Sequence, residues 1–393
     1  MTQRRFFTSS SVLLGHPDKL CDRISDALVD AHLAVDPTAR VRAEAAAAGQ
    51  VIFLATDASL RGEVDVTGVV RRVIAETGYF PQDMDADRCA ILAQSSLMTP
   101  PWSRRQPSVL QPPERRLASE QTTVFGYACS ETPERMPLPI QLAHRISTTI
   151  GTLALQRAIP GLGPDGDVLV TVEYEDNRPT RIDTIMVQLQ HRGEPRDLVE
   201  GLKTIAFASI FDGMSLAPDS STRLLVNPGG PLEAAGPARD AGHTGRKNAD
   251  DTYGGAARHG GHALSGKDPS RLDRSASYAA RHAAKNVVAA GLASECEIML
   301  SYAIGEARPT TVSARTFGTG VLQDERLSEI IGEVFDLRPG LIEEQLRLRW
   351  LPRERGGRFY QRLAVGGQFG RMDLDCPWER LDAVDALRDA LKS

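Results

Sequence analysis

Apolar and polar positions follow two different periods along the 393-residue chain, so the pattern predicts both helices and strands. Segments with helical spacing are 19–35, 64–79, 196–210 and 271–291. Strands are predicted at 49–57 and 295–305, and residues 223–231 are predicted to be a strand that runs into a Gly/Pro turn. A hairpin is predicted over 167–191 with its turn at 175–179. Helix–strand–strand units recur about three times, which indicates an α+β or α/β fold.

The ends of these helices also follow from the sequence. In the first helix, Leu20, Ile24 and Leu28 share one face with Ala31, and the helix is expected to end near a following proline. A second face of this helix carries three aspartates, Asp18, Asp22 and Asp26. Glycines close the second and fourth helices, at 78 and 291, where a left-handed residue favours a helix stop.

Residues 95–119 differ from their surroundings because prolines and arginines are frequent and apolar residues are few. This composition predicts a long mobile loop. Composition alone favours a passive connector. The functional alternative is a lid that carries cations to an anionic ligand.

Length and composition limit the classes of function. A chain of this size is expected to form two or three domains, and its 41% hydrophobic and 25% charged content is that of an ordinary globular protein. The net charge of −5 disfavours a protein that tracks nucleic acid, so any anion site must be local. No apolar run is long enough for a membrane span, and the N-terminus lacks the features of a signal peptide.

The five cysteines are scattered and form no CxxC pair, which predicts a reduced, cytoplasmic protein without structural zinc. Each cysteine is expected to be a small buried apolar residue.

Glycine-rich motifs carry the chemistry. GHALSGK (261–267) matches part of a phosphate-binding loop, in which backbone N–H groups and a lysine hold an anion. A true loop of that class needs Ser or Thr next and a preceding strand, but Asp268 follows and 252–261 does not read as a strand. The P-loop interpretation therefore fails, although the cation remains.

Two further motifs extend this inventory, namely GHTGRK (242–247) and GHPDK (15–19). Each has an ordinary structural interpretation: His16 caps a turn, Asp18 is a helix N-cap, and the lysines and arginines form a solvated face. Together, however, they supply a set of cations, carboxylates for a hard metal ion, and a histidine that donates a proton or hydrogen bond. Polyphosphate with Mg²⁺ fits that combination.

The motifs resemble those of the S-adenosylmethionine synthetase (methionine adenosyltransferase) family. The matching stretches are FTSSSVLLGHPDK (7–19), ISDALVDA (24–31), FGYACSET (125–132), GHTGRKNADDTYGGAARHGG (242–261), SGKDPSRLDRSASYAAR (265–281), AAKNVVAAGLASECEIMLSYAIG (283–305), FDLRPGLI (335–342), and FGR and PWER (369–380). They cover nearly the whole chain in order, which is more specific than any single motif.

The resemblance implies an α+β fold of three similar βα modules around a pseudo-threefold axis, partly interleaved in sequence. The implied modules are 5–103, 117–233 and 235–373, with 95–119 as a mobile active-site loop. Sheets would form the interface of a homodimer or tetramer, and the active sites would lie between subunits.

The resemblance also implies a reaction and a set of residue roles. Methionine sulfur would attack C5′ of ATP and expel triphosphate, which is then hydrolysed to phosphate and pyrophosphate. The implied catalytic residues are His16, Arg246, Lys247 and Lys267. ATP would also contact Glu120, Asp165, Asp167, Asp240 and Ala263, and the amino acid would contact Asp57, Met98, Asp240, Arg271 and Ile304. Asp18 and Asp273 would hold two Mg²⁺ per site and Glu44 a K⁺.

The chain departs from the family pattern mainly around the amino acid and the loop. Changed positions are Ser10, Asp57, Met98, Glu120, Asp167, Pro231-Leu232, His262, Leu264 and Arg271. The change at 167 replaces a family lysine and reverses a charge near the polyphosphate. Besides methionine adenosyl transfer, two alternatives stay open: a paralogue that expels triphosphate with another thioether or water, and a catalytically weak subunit that binds nucleotide.

Overall fold

The computed structural model describes residues 4–59, 64–98, 111–214 and 216–392. The strands are β1 (Arg4–Val12), β2 (Val41–Ala48), β3 (Val51–Ala58), β4 (Ala90–Leu97), β5 (Thr122–Cys129), β6 (Leu162–Glu175), β7 (Arg178–His191), β8 (Arg223–Val226), β9 (Gly242–His243), β10 (Glu295–Tyr302) and β11 (Thr311–Arg315). The α-helices are α1 (Pro17–Val35), α2 (Val66–Thr77), α3 (Leu138–Leu155), α4 (Pro195–Gly201), α5 (Ala208–Ile210), α6 (Asn248–Asp251), α7 (Leu272–Ala289), α8 (Asp324–Val334), α9 (Pro339–Gln345), α10 (Leu351–Glu354), α11 (Tyr360–Leu363) and α12 (Val384–Ala390). A π-helical turn, Leu202–Phe207, joins α4 to α5.

The strands form three sheets, and each sheet combines strands from distant parts of the chain. Sheet one has the order β1-β6-β7-β8, sheet two β11-β10-β5, and sheet three β4-β3-β2-β9. Because β1 pairs with β6, β5 with β10 and β9 with β2, the modules interleave in sequence. The expected α+β fold is confirmed.

Each sheet packs against one long helix. Helix α3 lies on sheet one, α7 on sheet two and α1 on sheet three. Each packing contributes to a separate cluster of buried apolar side chains. The glycine motifs lie where these units meet, because β9 and the segment after it connect sheet three to α7.

Helix α1 begins two residues earlier than predicted. Pro17 occupies its first turn, and His16 is the N-cap, with its Nδ1 accepting the backbone N–H of Asp18 at 3.2 Å. The interpretation of Asp18 as N-cap is therefore wrong. Leu20 and Leu28 are fully buried, as the apolar face requires.

The predicted hairpin is β6–β7, and its turn is shorter than predicted. Asp176 and Asn177 have φ of 48° and 63° and form the two-residue connection that matches the twist of antiparallel strands. Strand β8 runs into a turn as predicted, and the turn begins at Asn227, whose φ of 45° takes the chain out of the extended conformation. Gly78 caps α2 at φ 76°, whereas Ala290 caps α7 and Gly291 follows at φ 79°.

The segment predicted as a loop over 95–119 is only partly described. Residues 95–97 continue β4, which pairs in parallel with β3. Residues 99–110 lie outside the described residues. Near the end of the segment, the buried Ala118 donates its backbone N–H to the carbonyl of Glu306 at 2.8 Å.

The cysteines are free and buried at all five positions, which confirms their predicted role as small core residues. Within the described ranges, none of the helices has the length and apolar content needed to cross a bilayer.

Candidate active site

A row of carboxylates on α1 holds both glycine-rich loops in place. At a spacing of four residues, Asp18 accepts the backbone N–H of His243 (3.0 Å), Asp22 that of Gly245 (2.8 Å) and Asp26 that of Gly266 (2.8 Å). All three carboxylates are buried, and burial raises the pKa of Asp22 to about 7. The polar face of α1 is thus a scaffold for the loops at 242–247 and 261–267. Sequence reasoning saw the aspartate spacing but not this role.

The first group lies near His16 and contains seven predicted residues and one residue that was not predicted, Arg239. We call it the His16 cluster: His16, Asp18, Asp165, Asp167, Arg239, Asp240, Arg246 and Lys247. Lys247 Nζ lies 2.8 Å from Asp18 and Arg246 Nη1 lies 3.6 Å from it. Burial pushes the pKa of Asp18 upward, but the bonds from Lys247 and from the His243 backbone outweigh it and lower the pKa. Asp18 is therefore an ionised oxygen donor beside two cations.

His16 is a neutral hydrogen-bond donor in this cluster. Only 7% of the residue is exposed, and burial, followed by the charge of Lys247, lowers its pKa to about 3. Because Nδ1 accepts the N–H of Asp18, the neutral ring carries its proton on Nε2. The Nε2–H group is therefore the part of His16 that is able to donate a hydrogen bond.

Arg239 belongs to the cluster although sequence reasoning missed it. Its guanidinium group donates two hydrogen bonds to the fully buried Asp165, from Nε (3.0 Å) and from Nη2 (3.3 Å). Its Nη1 lies 3.8 Å from Asp167. Burial raises the pKa of Asp165 to about 6 although Arg239 opposes the shift. The sequence feature that could have identified Arg239 is its position immediately before the predicted residue Asp240. Asp240 is exposed, and its carboxylate accepts the neighbouring N–H of Ala241 at 2.8 Å.

The second group, which we call the Lys267 cluster, consists of Glu120, Lys267, Arg271 and Asp273. Lys267 Nζ donates to Asp273 at 2.5 Å, and Arg271 pairs with Glu120 at 2.5 Å. The two pairs are joined because Glu120 accepts the backbone N–H of Asp273 at 3.1 Å. Burial raises the pKa of Asp273, but Lys267 and the hydroxyl of Thr122 more than offset this and lower it.

Gly266 explains why Lys267 stands where it does. Gly266 has φ +81°, and a Cβ there would lie 2.0 Å from the carbonyl oxygen of Ala43 on β2. This close approach lets Lys267 form a β-bridge with Arg42 at the edge of sheet three. The next residue, Asp268, is buried and accepts the N–H of Val41 at 2.8 Å. Its role is structural, in agreement with rejection of the P-loop.

The structure places the remaining predicted residues on sheet three, in the cavity between the glycine loops, and directly after strands β4 and β10. Arg42 connects Asp57 (3.2 Å) and Glu44 (3.9 Å) on one solvent-open face of sheet three. Ala263 lines a cavity between the two glycine loops together with Glu44, Thr244 and Lys267. Met98 follows β4 and donates its N–H to Ala58 at 2.9 Å, whereas Ile304 follows β10 and is 67% exposed.

The two clusters remain separate in a single chain. Among the described residues, no hydrogen bond or ion pair joins a side chain of one cluster to a side chain of the other. Nor does the described part of the chain contain a group of three His, Cys, Asp or Glu side chains that could enclose a metal ion. Each cluster therefore offers one buried carboxylate beside a lysine, Asp18 with Lys247 and Asp273 with Lys267.

Comparison with known proteins covers the whole chain. Family models for the N-terminal, central and C-terminal domains of S-adenosylmethionine synthetase match residues 4–98, 115–232 and 234–380. The chain is similar to the S-adenosylmethionine synthase of Synechococcus elongatus, at 45% identity over 99% of the chain and 98% of the relative. That of Thermosynechococcus vestitus is 46% identical over 98% of each protein, and that of Acaryochloris marina is 44% identical over 100% of the chain and 98% of the relative.

Proposed function

The chain belongs to the S-adenosylmethionine synthetase family, and on that premise we propose that it forms S-adenosylmethionine from ATP and methionine. The methionine sulfur attacks C5′ of ATP, triphosphate leaves intact, and the triphosphate is then hydrolysed to phosphate and pyrophosphate. The observation that carries the proposal is the repeated pairing of a carboxylate with a loop lysine, Asp18 with Lys247 and Asp273 with Lys267.

The chemistry needs stabilisation of the leaving group more than activation of the nucleophile. A thioether is a neutral, soft nucleophile that carries no proton to remove. The triphosphate gains charge as the C5′–O bond breaks, so cations and N–H donors aimed at it lower the barrier. Arg246, Lys247 and Lys267 bind the phosphate oxygens, and the Nε2–H of His16 donates to the departing oxygen.

The carboxylates fit Mg²⁺ in one particular way. Mg²⁺ is commonly held by one or two carboxylates together with substrate phosphates and water, and not by a closed protein cage. Asp18 and Asp273 each offer buried oxygen donors of this kind, so each would hold one of two ions. When bound, Mg²⁺ neutralises charge on the triphosphate.

The assigned K⁺ ligand, Glu44, does not have comparable support. Its side chain is 53% exposed and lies 3.9 Å from Arg42. A half-exposed carboxylate beside an arginine does not by itself make a potassium site, so no step is assigned to K⁺.

The amino-acid half of the site retains opposite charges for a zwitterion. Asp57 would pair with the α-ammonium group of methionine and Arg271 with its carboxylate, which competes with Glu120 for the guanidinium. Asp240 would contact both substrates. Met98 and Ile304 would provide apolar contacts to the side chain.

We also propose a homodimer or a tetramer of such dimers, with active sites shared between subunits. Phe53 and Leu92 are register partners on adjacent strands of sheet three and are 48% and 56% exposed. Exposed apolar residues of this size favour burial against another protein surface. The same sheet face carries Glu44 and Asp57, so a partner subunit packed there would lie beside two of the predicted site residues.

The remaining assignments concern partners and compartment. The net charge of −5 favours small-molecule substrates over nucleic acid. Five buried thiols favour the cytoplasm, where cysteines stay reduced. We propose no membrane partner.

The proposal is tested by incubating the protein with ATP, Mg²⁺ and K⁺, with and without methionine, and measuring products by mass spectrometry. The expected result is methionine-dependent S-adenosylmethionine, together with phosphate and pyrophosphate. Loss of triphosphate from ATP without methionine would instead indicate a paralogue that uses water or another nucleophile. ATP binding without turnover would indicate a nucleotide-binding subunit.

A further inference from the structure

The guanidinium group of Arg239 is held in a fixed orientation by one buried carboxylate. Asp165 is fully buried and receives two bonds from Arg239, to Nε at 3.0 Å and Nη2 at 3.3 Å. Asp165 is itself oriented by the backbone N–H of Gly236 at 2.7 Å. Two parallel bonds to one carboxylate fix the plane of a guanidinium group, so Nη1 must point away from Asp165.

The Nη1 end of Arg239 is available for a ligand. Asp167 lies 3.8 Å from it, which is beyond hydrogen-bond distance. Within the described residues, Nη1 makes no hydrogen bond, and 26% of the side chain is exposed. The arginine is thus anchored at one end and open at the other.

The open end lies within the His16 cluster. Arg239 is near enough to His16 to act with Lys247 in lowering the pKa of that imidazole. It also immediately precedes Asp240 in the loop that continues to Lys247. A cation that affects both His16 and Asp167 is well placed to attract a polyphosphate chain.

We propose that Arg239 is a further triphosphate-binding residue, which supplies beside Asp167 the positive charge that this position otherwise lacks. The inference rests on the proposed function and deepens it. Asp165 acts as the positioning residue for the guanidinium group, and Nη1 donates to a phosphate oxygen.

A second ion pair in the chain provides a matched control. Arg192 contacts both oxygens of the buried Asp83, at 3.2 and 3.1 Å, and its side chain is 32% exposed. Removal of Arg192 or Arg239 therefore leaves a buried carboxylate without its arginine. Only Arg239 lies in the His16 cluster, so a structural role and a ligand-binding role predict different results for the two variants.

The experiment measures binding of diimidotriphosphate with Mg²⁺ by calorimetry, without methionine; this analogue of inorganic tripolyphosphate has N–H groups in place of the bridging oxygens, so the proposed hydrolysis does not consume it. Arg239→Ala should weaken binding roughly 10- to 100-fold because a charge-assisted hydrogen bond is lost. Arg192→Ala should bind within about twofold of the unmodified protein, whereas both variants should lose similar thermal stability. If Arg239→Ala is much less stable than Arg192→Ala, Arg239→Gln, which keeps a donor for Asp165 and loses the charge, should show the same weakened binding.

A second experiment moves the positive charge from position 239 to the neighbouring position 167. Asp167→Lys combined with Arg239→Ala should recover at least about tenfold of the lost affinity, because a cation is returned to the same side of the cluster. The proposal is overturned if Arg239→Ala binds diimidotriphosphate normally, or if adding Asp167→Lys to Arg239→Ala gives no recovery. The binding assay contains no methionine, so it is independent of S-adenosylmethionine formation. If the protein makes no S-adenosylmethionine but still needs Arg239 to bind diimidotriphosphate, the proposed function fails and this inference stands.

Discussion

Lys267→Ala is expected to lower the turnover number for S-adenosylmethionine formation by roughly two to three orders of magnitude. Lys267 is 13% exposed at its side chain and donates to Asp273 at 2.5 Å, so the variant removes a pre-positioned cation from the proposed metal carboxylate. The measurement is steady-state release of adenosyl product and phosphate under saturating ATP and methionine.

The matched control is Lys285→Ala, which removes a lysine from a carboxylate far from the proposed chemistry. Lys285 is 2% exposed at its side chain and lies 2.7 Å from Glu379. Each carboxylate keeps another donor after the change, Thr122 for Asp273 and Arg281 for Glu379. Near-normal turnover of Lys267→Ala, or an equal loss in Lys285→Ala, would refute the role given to Lys267.

The second large effect is expected at His16. His16→Ala removes both the N-cap of α1 and the proposed donor to the leaving oxygen, whereas His16→Ser restores a cap without the imidazole. The account predicts a similar loss of roughly two to three orders of magnitude in the turnover number for both variants, with thermal stability largely restored in the serine variant. Recovery of turnover along with stability in His16→Ser would reduce His16 to a helix cap.

The pH profile provides an independent check on His16. Its pKa of about 3 means that the imidazole is neutral at neutral pH. His16 should therefore not contribute an ionisation near pH 6.5 to the pH profile of kcat/KM, and the shape of the profile in that region should be the same in His16→Ser. The pKa is lower in the folded state than the ordinary value of 6.5, so the unfolded chain binds a proton first as the pH falls. His16 therefore lowers the free energy of unfolding progressively from pH 6.5 towards 3.

The sequence predicted the long, strongly periodic elements best. The apolar face of α1, the β6–β7 hairpin and α7 all follow from local patterns, and the structure has them within a few residues. The pairing of β1 with β6 or β9 with β2 could not be derived from local periodicity, because it joins segments that are far apart in the chain. The interleaving of the modules in sequence could be predicted only from the family resemblance.

In the candidate site, too, some features could be predicted from sequence and others required the folded structure. The lysines and aspartates of the glycine motifs could be named from sequence because charged residues beside glycines are conspicuous. The spacing of Asp22 and Asp26 was visible, but their burial against Gly245 and Gly266 required the tertiary fold.

The partners of three residues that depart from the family pattern are visible only in the structure. Glu120 and Arg271, both changed, pair with each other at 2.5 Å. Asp167, where a lysine was expected, lies beside Arg239. These pairs depend on which residues lie close together in the folded chain. When each changed position is considered alone, the sequence therefore suggests a greater loss of function than the folded arrangement does.

The proposed reaction requires that an intact triphosphate leaves the ribose carbon. ATP that carries ¹⁸O in the oxygen between C5′ and the α-phosphorus tests this requirement. Incubation with methionine and Mg²⁺, followed by mass spectrometry, should place all of the label in the phosphate and pyrophosphate products, with S-adenosylmethionine unlabelled. Label retained on AMP or adenosine would show that a P–O bond breaks instead, and would contradict the account.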